Sequence, residues 1–128
     1  EKLAFIEQEN LLLRKEWTKT ELMERGEKVY STYCVACHQT NGQGLVPVFP
    51  SLVGNEVVLK DKPKQIEILM EGVQGSAMQA FGKQLNEIDI ASVITYTKNS
   101  WANKNDGDGS IVVPKEIVTY KNNKNLSF

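Results

Sequence analysis

Cys34, Cys37 and His38 are residues whose types and spacing could do chemistry, and they stand together in the stretch CVACH. Two cysteines three positions apart can form a redox thiol pair, ligate zinc, or add to the two vinyl groups of a haem as thioethers. In the last case the histidine that follows presents its imidazole to the iron. The same residues could also be two reduced core cysteines beside an ordinary histidine.

The count of possible ligands separates these interpretations. Tetrahedral zinc needs four ligands, and a chain with two cysteines and one histidine would have to supply the others from distant carboxylates. A redox CxxC pair belongs at the start of a helix in a sheet-based fold, whereas this chain shows no alternating strand pattern. Covalent haem accounts for every member of the motif. The sequence therefore predicts one haem c attached through Cys34 and Cys37, with His38 on the iron.

A hexacoordinate electron carrier needs a second axial ligand far along the chain, and three methionines are available. Met23 lies on the helix leading into the motif, and Met70 falls on an apolar stripe at helical spacing, so both are predicted to be structural. Met78 lies in GVQGSAMQAFG, where three glycines interrupt regular structure and allow the backbone to pass close to a flat ring. Met78 is therefore the predicted second iron ligand.

Helices must position these residues, and capping patterns predict where they begin. The predicted starts are Thr18 with Glu21 as a capping box, Asp61 followed by Pro63, and Asn86 followed by Asp89. The first helix ends at the haem motif, the second near Glu71, and the third carries an apolar face that extends to Trp101. Residues 39–62 are rich in Gly, Pro and Asn and are predicted to wrap one side of the prosthetic group.

The chain divides into a haem domain, residues 18–102, with a segment on either side. Residues 1–17 are predicted to be a linker or docking helix, and residues 103–128 a C-terminal extension and tail. Within that extension NKNDGDG lacks an oxygen ligand at the first position of a calcium loop, so it is predicted to be a solvated turn. IVVPKEIV is predicted to be a short extended run or turn packed on the body, and KNNKNLSF a frayed tail.

Composition excludes several classes of partner. The 128 residues fit one domain, and 15 Lys and Arg against 16 Asp and Glu leave a formal net charge of -1 with no basic block. Nucleic acid is therefore not an expected partner. No uninterrupted apolar run approaches the ~20 residues that a bilayer requires, and no signal-peptide pattern opens the chain.

With His38 and Met78 paired, the sequence resembles a class I cytochrome c. Tyr30 and Gly26 stand one and two helical turns before the motif, where the N-terminal helix of that family crosses the C-terminal helix, and Tyr96 matches an aromatic on the latter. The resemblance implies an all-α fold of three to four helices around one covalently bound haem.

Two further site expectations follow from this resemblance. FPSLVG is similar to the family segment in which a proline carbonyl accepts the proton of the second histidine nitrogen, so Pro50 is expected to orient His38. Tyr30 and Phe81 are expected to pack on the haem.

Residues 16 to about 118 are similar to the cytochrome c domain fused to subunit II of caa(3)-type cytochrome c oxidases. This resemblance implies electron transfer from a soluble cytochrome c or other donor, through the haem, to a copper A domain and oxidase subunit I. It also implies a periplasmic location, or the outer face of the bacterial cytoplasmic membrane, with membrane contact only through a part of the subunit missing here. The domain alone is not expected to catalyse a reaction.

Two alternatives remain beside the oxidase domain. One is a free-standing periplasmic shuttle with the same haem site, and the other is a haem-based ligand sensor in which Met78 leaves the iron. Carbon monoxide binding by the reduced protein separates the sensor from the two electron carriers.

No charged residue occurs from Gly42 to Asn55 or from Gly72 to Gly82, the segments expected to border the exposed haem edge. This pattern favours an apolar docking surface for the electron donor. The alternative is that both loops pack inward against the ring.

Overall fold

The computed structural model describes residues 10–124, and this part of the chain is helical. The helices are α1 (Lys19–Tyr33), α2 (Val35–His38), α3 (Glu56–Lys60), α4 (Lys62–Glu71), α5 (Glu87–Lys98), α6 (Asn103–Asp106) and α7 (Pro114–Lys124). Four of them have ten or more residues. The described residues form no strand, only an isolated bridge between Leu45 and Phe49. The predicted all-α fold is confirmed.

Helix α1 begins and crosses α5 for reasons visible in its sequence. The Thr18 side chain accepts a hydrogen bond from the backbone N–H of Glu21, whose side chain accepts from the Thr18 N–H, so the predicted capping box is present. At the crossing, a Cβ added to Gly26 would lie 2.2 Å from the Ser92 carbonyl oxygen and 2.6 Å from the Cβ of Tyr96. Glycine is therefore what lets the two backbones approach.

The other two predicted helix starts are also present. The Asp61 side chain caps α4 by accepting from the N–H of Lys64, and Gly72 ends that helix with φ 72°. Asn86 caps α5 through the N–H of Asp89. Helix α5 ends at Lys98, so Trp101 does not extend its face as predicted but lies beyond it at φ 54°.

The core lies where α1, α4 and α7 meet the central helix α5. Helix α5 is buried on most of its surface because elements pack on several of its sides. The buried cluster consists of Val29, Tyr30, Ile66, Leu69, Met70, Phe81, Leu85, Ile90, Ala91, Val93, Ile94, Val112 and Ile117. Met70 is completely buried, in agreement with the structural role predicted for it.

The C-terminal segment differs from the prediction. Residues 114–124 form helix α7, which replaces the extended run or turn predicted from Pro114 onward and the frayed tail predicted for residues 121–124. The rest of the predicted tail, residues 125–128, lies outside the described residues. Ile117 of α7 is fully buried, so the segment packs on the body as predicted. The predicted solvated turn at NKNDGDG instead begins with α6, and Asn103 is only 1% exposed. Its amide donates to the carbonyls of Leu52 and Thr97 and accepts from the N–H of Gly54, which ties the segment to the haem-side loop.

At the N-terminus, residues 10–14 are helical, and Leu11 and Leu12 are exposed. The rest of the predicted linker or docking helix, residues 1–9, lies outside the described residues. None of the helices in the described part of the chain has the length and apolar character that crossing a membrane requires.

Candidate functional site

The end of α1 delivers the CVACH residues to one wall of a cavity. The chain leaves α1 at Cys34 and makes the short helix α2, in which the N–H of His38 donates to the carbonyl of Cys34 at 2.9 Å. This single turn brings Cys34, Cys37 and His38 to the same cavity wall. The two cysteines are not joined by a disulfide.

His38 is held by the loop that follows the motif. Its Nδ1 lies 3.1 Å from the carbonyl oxygen of Pro50. A carbonyl can only accept, so Nδ1 carries the proton and Nε2 keeps its lone pair for a metal. Gly44 makes this approach possible, because at φ +64° a Cβ there would lie 2.5 Å from the carbonyl oxygens of both Phe49 and Pro50.

Met78 lines the same cavity from a separate loop. Its carbonyl accepts from the N–H of Val73 at 3.0 Å, and its N–H donates to the Ser76 hydroxyl at 3.2 Å. Gly72 packs against this loop at φ +72°, where a Cβ would meet the Met78 carbonyl oxygen at 2.7 Å. The loop therefore holds a thioether side chain in the cavity that His38 also lines.

The cavity has a volume of about 320 Å³, and no lining residue is charged. Its walls come from α1, α4 and α5, from the short helix α3, and from the loops that follow α2 and α4. The apolar residues among them include Leu52, Val58, Ile68, Leu69, Val93 and Ile94. Tyr30 and Phe81, the two residues expected to pack on the haem, are 2% and 4% exposed and also line it. A large, flat and mainly apolar group suits such a lining.

The cavity wall also holds an unpartnered polar atom. Gln65 is 5% exposed and donates from Nε2 to the Thr97 hydroxyl at 2.9 Å, while its Oε1 has no hydrogen-bond partner in the described residues. The Thr97 hydroxyl donates in turn to the carbonyl of Ile94. This free oxygen is an acceptor, which a buried water can satisfy. The fit to a haem rests instead on the two thiols, the imidazole and the thioether, and on the apolar lining.

The set of nearby ligands disfavours the zinc interpretation. Burial, together with the neighbouring Cys37, raises the pKa of the Cys34 thiol to about 11, as expected of a sulfur in an apolar wall. In residues 10–124 no group of three or more His, Cys, Asp and Glu could hold a metal ion. The pattern of donors is that of a prosthetic group which brings its own metal.

The structure thus brings together at one cavity all seven site residues predicted from the sequence: Tyr30, Cys34, Cys37, His38, Pro50, Met78 and Phe81. Sequence reasoning missed the part that Gln65 and Tyr33 play in the wall. A polar residue directly before the apolar stripe of α4 was the available signal for Gln65. The Tyr33 ring packs edge-on against Phe81, with ring centroids 6.3 Å apart.

Comparison with known proteins agrees with this geometry. The family described as "Cytochrome C oxidase, cbb3-type, subunit III" matches residues 21–96, which contain every predicted site residue. Cytochrome c-552 of Thermus thermophilus is 33% identical over 90 residues, covering 59% of this chain and 67% of that protein.

Two further relatives are larger proteins. The cytochrome c subunit of the quinone alcohol dehydrogenase of Gluconacetobacter polyoxogenes is 30% identical over 92 residues, covering 64% of this chain and 20% of that subunit. The cbb3-type cytochrome c oxidase subunit CcoP of Azospirillum brasilense is 33% identical over 95 residues, covering 70% of this chain and 32% of that protein. The chain thus spans about a fifth to a third of these two relatives.

Proposed function

Because this chain belongs to the cytochrome c family described as cbb3-type cytochrome c oxidase subunit III, we propose that it carries single electrons on one haem c. In this proposal Cys34 and Cys37 form the thioethers, and His38 and Met78 are the axial ligands of the iron. The observation that carries it is the single uncharged cavity lined by both thiols, the imidazole and the thioether.

The residues of the chain would tune a haem rather than perform chemistry of their own. When bound, the haem supplies an iron that changes between the ferric and ferrous states by one electron. The proton that His38 donates to Pro50 fixes the imidazole orientation and leaves Nε2 for the iron. A thioether ligand from Met78 and a lining without charge both favour the ferrous state, since the apolar wall solvates the extra ferric charge poorly. We therefore expect a high reduction potential.

We place this electron carrier in residues 18–102, as the cytochrome c domain of a cytochrome c oxidase subunit II. Its donor would be a soluble cytochrome c, and its acceptors the copper A domain and oxidase subunit I, on the outer face of the bacterial cytoplasmic membrane. The assignment to subunit II is supported by the resemblance of residues 16–118 to that branch. The name of the Azospirillum brasilense relative, a cbb3-type oxidase subunit, supports an oxidase without specifying subunit II. Membrane attachment would come from a part of the subunit outside this sequence.

A second candidate is a free-standing periplasmic shuttle with the same site. It is favoured by the similarity to cytochrome c-552, a protein of which the match covers 67%. The apparent mass of the haem-stained band from membranes of the source cell distinguishes the two. A membrane-bound band much heavier than 14.4 kDa supports the oxidase subunit, and a soluble band near 14.4 kDa supports the shuttle.

Covalent attachment is tested by producing the chain together with a haem c attachment system and staining denatured protein for haem. The parent is expected to retain haem after denaturation, because thioether bonds survive it, and the double variant Cys34→Ala with Cys37→Ala is expected to lose the stain. Met23→Leu, a change outside the cavity lining, serves as the control and should stain like the parent. A parent that releases its haem on denaturation contradicts the proposal.

A further inference from the structure

Lys98 is the one charged residue among the buried residues that the structure describes. It lies on α5, is 3% exposed, and donates from Nζ to the carbonyls of Val58 at 3.0 Å and Leu59 at 3.3 Å. Within residues 10–124 no carboxylate oxygen lies within 4 Å of this Nζ. Burying an ammonium without a paired carboxylate costs free energy of folding, so this lysine is a candidate for a role that needs its charge.

The ammonium hydrogen-bonds to a residue of the cavity wall. Val58, whose carbonyl it contacts, lines the cavity, and so does Thr97, the residue before Lys98 in α5. Since the lining itself carries no charge, Lys98 places a full positive charge next to a wall that is otherwise neutral. Solvent screens a charge in this position far less than it screens one on the surface.

We propose that the Lys98 ammonium raises the reduction potential of the haem by opposing the positive charge of the ferric state. This inference rests on the proposed function, since it requires a haem in the cavity. The step it affects is the gain of one electron by ferric iron, in which no bond forms or breaks and the Lys98 proton stays on Nζ. Lys98 is a tuning residue and touches neither the iron nor its ligands.

The same coupling makes the potential depend on pH. Burial lowers the pKa of Lys98, with a smaller contribution in the same direction from Lys62, while Asp108 and Glu116 act in the opposite direction. Ferrous iron carries one positive charge less, so reduction strengthens proton binding at Lys98 and oxidation weakens it. The midpoint potential should therefore fall as pH rises through the Lys98 pKa, which lies below the usual lysine value of about 10.4.

A purely structural role is the competing explanation, because Lys98 also satisfies carbonyls at the end of the short helix α3. The two roles predict different results for a change that removes the charge and a change that keeps it. Lys98→Met removes the charge with similar length, and Lys98→Arg keeps it. Lys104→Met, at an exposed position of α6, removes the same charge from the surface and is the matched control.

The experiment is a spectroelectrochemical titration of the haem-loaded full chain and the three variants from pH 7 to pH 10. At pH 7 we expect Lys98→Met to shift the ferrous-to-ferric equilibrium on the order of tenfold toward ferric, which is a 59 mV decrease for a one-electron couple. Lys98→Arg should remain near the parent, and Lys104→Met should change the equilibrium less than about twofold. The decline of the parent midpoint with pH should be absent in Lys98→Met.

The inference is overturned if Lys98→Met folds, binds haem with an unchanged spectrum and has the midpoint potential of the parent. It is also overturned if the midpoint potential of Lys98→Arg is as low as that of Lys98→Met. If Lys98→Met does not fold, the coupling is tested in the parent by measuring the pKa of the Lys98 ammonium with nitrogen NMR in both oxidation states. A lower value in the ferric protein supports the coupling, and equal values overturn it. Failure to attach haem at all would instead count against the proposed function.

Discussion

At the scale of single residues, Met78 is the side chain that would decide whether the iron is closed to outside ligands, as in an electron carrier, or open to them, as in a sensor. If it ligates the iron, replacing it with alanine opens that position, because no other cavity-lining residue carries a thioether. We expect the reduced parent not to bind carbon monoxide and the reduced Met78→Ala protein to bind it, as read from the visible absorption spectrum. The buried Met70, which does not line the cavity, gives the control Met70→Leu.

The two outcomes for Met78 separate the electron carriers from the sensor. A parent that binds carbon monoxide as readily as Met78→Ala would mean that the second position is open or easily vacated, and the sensor interpretation would replace ours. Binding by Met70→Leu as well would show that loosened packing, rather than loss of a ligand, admits the gas. The comparison therefore tests the role of this sulfur and not merely the presence of a methionine.

Residue-level reasoning from the sequence found the motif and its expected neighbours but not the buried polar side chains near the cavity, and the reason is physical. Cys34, Cys37 and His38 are adjacent in the chain, so their joint chemistry can be read locally. The burial of Gln65 and Lys98 is decided by contacts 32 and 39 to 40 positions away, with Thr97 and with the end of α3, and no local pattern shows them. Long-range polar contacts of this kind appear only once the helices are assembled.

At the scale of elements, the crossing of α1 over α5 depends on the missing side chain of Gly26. A methyl group there would lie 2.2 Å from the Ser92 carbonyl oxygen, so Gly26→Ala forces the helices apart. The overpacking should outweigh the better helix propensity of alanine and lower the free energy of unfolding by about 2 kcal/mol. Denaturant titration of the haem-loaded protein measures this change.

Ser31→Ala is the control for the crossing, since Ser31 is exposed on the same helix and should change stability by less than about 0.5 kcal/mol. Equal stability of Gly26→Ala and the parent would mean that the crossing tolerates a wider separation than the structure shows.

The helices also show what local signals can and cannot predict. Thr18, Asp61 and Asn86 cap their helices through hydrogen bonds to residues at most three positions away, and all three starts could be predicted from sequence. Helix α7 was missed because its apolar residues are few and lie beside polar ones. Pro114 at its first position and Glu116 in its first turn were the available signals. The burial of Ile117 against the body is a tertiary contact that favours this helix.

At the scale of the whole molecule, two segments that border the cavity, residues 42–55 and 72–82, carry no charged side chain and expose apolar ones. Leu45 and Val46 are 56% and 73% exposed and do not line the cavity, so a bound haem does not account for them. The inward packing considered as an alternative for this loop is therefore wrong at these two residues. The uncharged segments 42–55 and 72–82 both contribute residues to the cavity wall. Their exposed apolar side chains suit transient contact with an electron donor that is also uncharged at its contact face.

This surface predicts how electron transfer responds to salt. Screening acts on pairs of charges, so the bimolecular rate with a soluble cytochrome c donor should change little between low and physiological ionic strength. Val46→Lys places an ammonium that must lose its water against the uncharged donor face, so it should lower the rate about equally at every salt concentration. Thr119→Lys, exposed on α7, should leave the rate unchanged. Stopped-flow mixing at several salt concentrations measures the electron-transfer rates of the parent and of both variants. A steep decrease of the parent rate with salt would place the docking contact on a charged face elsewhere, because only charges that meet in the encounter complex give such a slope.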